Sequence, residues 1–140
     1  MKNKAPLSLM EQLIMLLVFA LSAALCLQIY VFSARISHYC EDKGYAATAV
    51  QNTAESIKLC RGDITRYPQL LGGCGDITQW QIGYDKNWKE VSLAQASYRI
   101  IVTPETASLP TLGQASVFAQ TEAGNELFRV TVAWQEEEYE

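Results

Sequence analysis

From Gln12 to Ala34 the chain carries no charged residue, and this run limits what the rest of the protein can be. At 1.5 Å of rise per residue, about 23 helical residues cover roughly 34 Å, enough to cross the hydrocarbon core of a bilayer. A secretory signal peptide has a shorter apolar region and then a small-residue cleavage site. Here the run is longer, no Ala-x-Ala pattern follows it, and Leu25 stands before Cys26 where a lipoprotein signal would need a small residue. The expectation is therefore a retained transmembrane helix. Lys2, Lys4 and the amino terminus precede it, while Arg35 is soon followed by Glu41 and Asp42. The positive-inside tendency then puts the N-terminus in the cytoplasm and the remainder of the chain outside.

Ser8-Leu9-Met10-Glu11 reads as a capping box at the start of this helix, with Pro6 preventing its extension backward. A carboxylate in a first helical turn is favoured by the helix dipole, so Glu11 has a structural explanation before any functional one. Beyond the span, Ile36, Tyr39 or Cys40, Ala47, Val50, Ala54, Ile57 and Cys60 recur at three- and four-residue steps. That is the stripe of an amphipathic helix. Gly44 marks a possible bend, and Arg61-Gly62-Asp63 a stop, with Gly62 suited to a left-handed C-cap. The cap outweighs the reading of this triplet as the Arg-Gly-Asp adhesion signal. Ser8 to Arg61 is thus expected as one helix of about 54 residues.

The period then shifts from 3.6 to 2. Trp80, Ile82 and Tyr84 alternate with polar or small residues, Asp85-Lys86-Asn87 signals a turn, and Trp88 to Val91 reads as a returning strand. Further alternation follows at Tyr98, Ile100 and Val102, then at Ala115, Val117 and Ala119. After a Glu122-Ala123-Gly124-Asn125 loop comes Phe128, Val130, Val132 and Trp134. The expected fold class is α+β, a long N-terminal helix packed on a four- to five-stranded antiparallel sheet. Its expected parts are a leader-like segment 1–7, a transmembrane helix 8–34, a continuation 35–62, a connector 63–75, a β head 76–135 and an acidic tail 136–140. Gly72-Gly73-Cys74-Gly75 lacks the Gly-Lys-Ser/Thr ending of a phosphate loop and reads as a flexible connector.

The remaining chemistry is sparse. Cys26 lies in the apolar run, and Cys40, Cys60 and Cys74 lack Cys-x-x-Cys spacing. With His38 the only histidine, no metal site, cofactor or enzymatic activity is expected. Cys40 and Cys60 would stand about 30 Å apart on one helix and could not bond within it. Cys60 and Cys74 flank a loop and form the candidate disulfide, open to an oxidising exterior. The net charge of −4, with Glu136, Glu137, Glu138 and Glu140 at the C-terminus, gives no support to nucleic-acid binding.

Leu7-Ser8-Leu9-Met10-Glu11-Gln12-Leu13-Ile14-Met15 resembles the N-terminal pattern of type IV prepilins: an apolar or aromatic residue, Ser or Thr, two apolar residues, Glu, then a long apolar run. With a helix backing an antiparallel sheet, the chain resembles the type IV pilin and pseudopilin family, including the short pseudopilin-like chains of Gram-positive bacteria. The motif spans about ten residues, and the architectural likeness covers the whole chain. The resemblance implies a structural subunit of a pilus-like or type II secretion pseudopilus assembly. Its partners would be membrane lipid, other pilin-like subunits and a prepilin peptidase. It further implies cleavage between Pro6 and Leu7, and pairing of Glu11 with a neighbouring subunit's amine. Pro6 stands where the family carries Gly. An unprocessed, membrane-tethered binding or sensor domain is therefore the alternative.

Overall fold

The computed structural model describes residues 5–136. The expectations resting on Lys2, Lys4, Glu137, Glu138 and Glu140 fall outside that range. The chain divides into two compact units, one ending at Cys40 and one beginning at Glu41. Helix α1 (Ala5–Leu59) contributes to both.

Among the described residues of the first unit α1 is the one element, and every one of them is exposed. Its apolar part is long enough and hydrophobic enough, at a mean hydropathy of 2.4, to cross a membrane, and none of that window is buried inside the protein. The capping-box expectation is corrected here. Helix is already present at Ala5 and Pro6, so Ser8 and Glu11 lie inside it and do not open it. Proline is tolerated in a first turn because the N–H it lacks would have no intrahelical partner.

In the second unit, α1 buries Val50, Ala54 and Ile57 of the expected stripe, with Cys60 just past its end, and adds Ala46 and Thr53, whereas Ala47 is only half-buried and Ile36, Tyr39 and Cys40 of the first unit are exposed. Thr53 enters the core without a lost hydrogen bond, because its hydroxyl donates to the Ala49 carbonyl at 2.9 Å. Gly44 does not break the helix. The end of α1 forms a Schellman-type cap: Gly62 N–H donates to Ile57 O and Arg61 N–H to Lys58 O, each at 3.1 Å. Gly62 is left-handed as expected, with φ +73°. Arg61 also takes a left-handed conformation, φ 52°, at the position where glycine is usual.

A short 3-10 turn (Ile64–Arg66) and helix α2 (Tyr67–Leu70) follow. The expected flexible connector is a packed segment instead. Tyr67 and Leu71 are core residues. Gly72 and Gly73 both have positive φ, and a Cβ on either would run into the Glu90 carboxylate or the Gln81 carbonyl. Those glycines let the backbone cross close to the sheet.

The strands are β1 (Cys74–Gly75), β2 (Trp80–Tyr84), β3 (Glu90–Val91), β4 (Tyr98–Glu105), β5 (Leu112–Thr121) and β6 (Glu126–Gln135). They form one antiparallel sheet in the order β1-β2-β4-β5-β6, with β3 paired to β2. Register sets Ile82 beside Ile100, Ile100 beside Ala119, and Val117 beside Val130. Because side chains alternate across a strand, these positions share one face. Together with Val50, Ala54 and Ile57 of α1 they make a single core. The fold is thus α+β, with α1 packed on the sheet through its second half. The two-residue strand β1 adds to the expected strands and brings the sheet to six.

The expected strand Trp88 to Val91 shrinks to Glu90–Val91, and Trp88 belongs to the turn. The Asp85 carboxylate accepts from Asn87 N–H at 2.8 Å and Lys89 N–H at 3.0 Å, which ties the turn together.

Candidate functional site

The three residues implicated in processing and assembly all lie on the N-terminal part of α1. Pro6 and Leu7 sit in its first described turn, and Leu7 and Glu11 are four residues apart, hence on one face. Leu7 is 75 % exposed, and Met10, Ile14 and Met15 around Glu11 are also open. The geometry is a carboxylate at the edge of an uncharged helical surface that is exposed throughout the described residues of the first unit. In a bilayer such a carboxylate is costly unless it reaches the interface or meets a counter-charge.

The candidate disulfide is corrected. Cys60 and Cys74 are both free, Cys60 buried and Cys74 exposed. The reason is direction: Cys60 turns into the core, its thiol 3.4 Å from the Ile57 carbonyl, while Cys74 lies on the outer two-residue strand β1. Cys26 and Cys40 are exposed on α1. Among the described residues no group of three or more His, Cys, Asp or Glu side chains could hold a metal ion.

Two features of the head carry no local sequence signal. The first is an aromatic stack. The Trp88 ring lies flat on Tyr98, with centroids 4.4 Å apart and planes 12° apart, and its neighbours include Tyr45 of α1 at 6.4 Å and Tyr84 at 5.9 Å. Asp42 of α1 also acts on Tyr98, favouring its protonated hydroxyl. Helix, turn and sheet therefore meet at these rings. The second is a groove beside the β4–β5 connection, where Trp134 stands with Tyr67, Ile77 and Leu109.

Tyr67 packs edge-on to Trp80 at 5.7 Å, and the Trp80 indole N–H donates to Gly72 O at 2.8 Å. Burial pushes the Tyr67 hydroxyl up to about 12, with Cys60 and Asp63 adding like charge against the phenolate. Burial raises Tyr84 and Tyr98 in the same direction. For an acid whose folded-state value lies above its ordinary one, ionisation favours the unfolded chain. The associated stability is complete below about pH 10 and is lost as pH climbs from there towards 12. The head is expected to lose stability across that window, and Tyr67→Phe to reduce the slope. Denaturation midpoints at pH 9, 10 and 11 measure it, and an unchanged slope in Tyr67→Phe would assign the loss to other groups.

The fold and the exposed helix define a class: an α+β chain with one helix long and apolar enough to be a single membrane span. A scan against protein-family models and searches of curated proteins and of solved structures found no match.

Proposed function

We propose that this chain is a structural subunit of a type IV pilus-like or pseudopilus assembly, with its N-terminus cytoplasmic and its head outside. The observation that carries this reading is the first unit: a helix whose uncharged surface from Gln12 to Ala34 is exposed all round. Lipid alone can cover such a surface. So can the matching surfaces of other subunits, since packing, close approach and lipid entropy drive helix association in membranes. Ala20, Ser22, Ala23 and Ala24 permit that approach.

Glu11 supplies the specific element. In a lateral array its carboxylate meets a neighbour's amine if the chain begins at Leu7, and the pair fixes the axial register between helices. A lone carboxylate at that depth opposes insertion, so pairing favours the array over the single helix.

Pro6 favours the second reading, an uncleaved chain tethering a binding or sensor head. A proline at the residue before the scissile bond removes an N–H and locks φ.

Intact mass and N-terminal sequencing of the protein from its native membrane decide between them. A chain beginning at Leu7 is the expected result. A chain beginning at Met1 would sink the processed-subunit reading and leave the tethered head.

A further inference from the structure

We propose that Gln28 joins two copies of this chain inside the bilayer, the side-chain amide of one α1 hydrogen-bonding that of a parallel α1. This contact presupposes the membrane-spanning reading of α1 proposed above, and it sets the register of neighbouring helices.

In a run that is apolar all round, spacing alone selects no face. Gln28 does. The uncharged run from Gln12 to Ala34 holds two glutamines, Gln12 at its start and Gln28 within it. Ser22 in the same run satisfies itself, its hydroxyl donating to Val18 O at 2.8 Å. Gln28 is exposed, and its amide makes no hydrogen bond among the described residues.

Depth makes that unfavourable. The run is centred on Ala23, so Gln28 lies about 7.5 Å beyond the midplane and about as far short of the outer boundary of a hydrocarbon core roughly 30 Å thick. Side chains on a helix tilt towards its N-terminus. With the N-terminus cytoplasmic, that tilt leads the Gln28 amide away from the outer interface and into the acyl chains, the direction opposed to snorkelling. An amide there needs a partner, because lipid offers it neither donor nor acceptor.

The partner follows from the amide itself. A primary amide both donates and accepts, so it is its own complement. Copies inserted in the same orientation carry Gln28 at one depth, whereas a different chain would need a polar group at that level by coincidence. Leu17, Leu21, Ala24, Gln28 and Val31 succeed one another at steps of four and three, the spacing that stays on the seam of two parallel helices. Ala24, one turn before Gln28, lets the backbones approach. A crevice of about 350 Å3 beside Gln28, lined by Leu27, Val31, Phe32 and Arg35, has room for side chains of the copy. Arg35 stands just past the run, where headgroups and water screen it. One polar residue on such a seam fixes the register of the pair.

The test uses the full chain in dioleoylphosphatidylcholine vesicles, half of it labelled with a donor and half with an acceptor fluorophore at the C-terminus. Energy transfer is followed as added lipid dilutes the protein. The parent is expected to self-associate, and Gln28→Leu to raise its dissociation constant at least about fivefold. Gln28→Asn, which keeps an amide, should recover part of the loss. Gln12→Leu, at the edge of the run, should change it less than about twofold. Gln28→Leu makes the run more apolar, so insertion is retained, and far-UV circular dichroism checks the helix. A second measurement locates the face. In a Cys40→Ser/Cys74→Ser background, oxidation should cross-link Leu21→Cys, two turns before Gln28. Without that substitution the native Cys26, about 160° round the helix from Gln28, should stay unlinked.

Energy transfer no greater than random proximity gives overturns the proposal. So does Gln28→Leu that associates as the parent does, Gln28→Asn as weak as Gln28→Leu, a Gln12→Leu loss as large as that of Gln28→Leu, or cross-linking through Cys26 and not through Leu21→Cys. Each of these outcomes leaves the processed-subunit reading standing, because that is decided by whether the chain begins at Leu7.

Discussion

Trp88→Ala is expected to destabilise the head by about 3 kcal/mol, and Trp88→Gly by about 1 kcal/mol less. The first figure follows from the stack. Trp88 lies against Tyr98 and reaches Tyr45 and Tyr84, so truncation removes the ring through which turn, helix and sheet meet. Such truncations cost about 3–5 kcal/mol when the ring is fully buried. The lower end applies because Trp88 is half-buried, and because its Nε1 is buried without an acceptor among the described residues. The difference between the two variants follows from the backbone. Trp88 has φ 57°, a conformation costing a residue with a Cβ roughly 1–2 kcal/mol that glycine avoids. Trp88→Phe keeps a stacked ring and loses the orphan N–H, so it should remain within about 1 kcal/mol of the parent. Urea unfolding followed by near-UV circular dichroism measures all three. If Trp88→Gly proves no more stable than Trp88→Ala, the turn does not hold Trp88 left-handed. If Trp88→Ala costs under about 1 kcal/mol, the stack is not what ties α1 to the turn.

The same residue marks the boundary of what sequence reading could reach. Trp80, Ile82 and Tyr84, Ile100 and Val102, Val117 and Ala119, and Val130 and Val132 were legible as one sheet face, because alternation and burial have the same period in a strand. The stripe through Val50, Ala54 and Ile57 was legible for the corresponding helical reason. Trp88-Lys89-Glu90-Val91 reads as a strand because Trp and Val both favour strands. The position after a three-residue turn ordinarily calls for Gly or Asn, and only tertiary stacking lets Trp occupy it. Leu127 is a similar case. The β5–β6 register slips between Ala119 and Gln120, so Leu127 is an extra residue, and it is buried with the core while its neighbour Phe128 packs there too. Strict alternation would have sent Leu127 outward.

At the N-terminus the miss was of another kind. Ser-x-x-Glu has the composition of a capping box wherever it stands, and a proline that blocks backward extension of a helix fits equally well inside a first turn, as Pro6 does. Glu11 itself was legible as the lone charge at the border of the apolar run. The groove was not, since Ile77 and Leu109 sit in segments without periodicity, and contact with Trp134 and Tyr67 depends on the close of the sheet.

The second large effect is expected at Gly62. A Cβ there would fall inside the Trp134 indole, and one at Gly113 on the neighbouring strand would meet the same ring. The indole of the last strand thus rests between the end of α1 and β5, in space that two glycines leave open. This explains why a Trp at the end of β6 is half-buried. Gly62→Ala combines a left-handed backbone at φ +73° with displacement of that ring, and should cost on the order of 3 kcal/mol. Gly113→Ala lacks the backbone component and should cost less. The two contributions separate in a Trp134→Ala background. There the steric part disappears, so Gly113→Ala should become nearly neutral, and Gly62→Ala should retain only the backbone cost of about 1 kcal/mol. Each double-mutant cycle should therefore show a coupling of at least about 1 kcal/mol in urea unfolding. Additive losses at both glycines would mean that Trp134 does not lie against them.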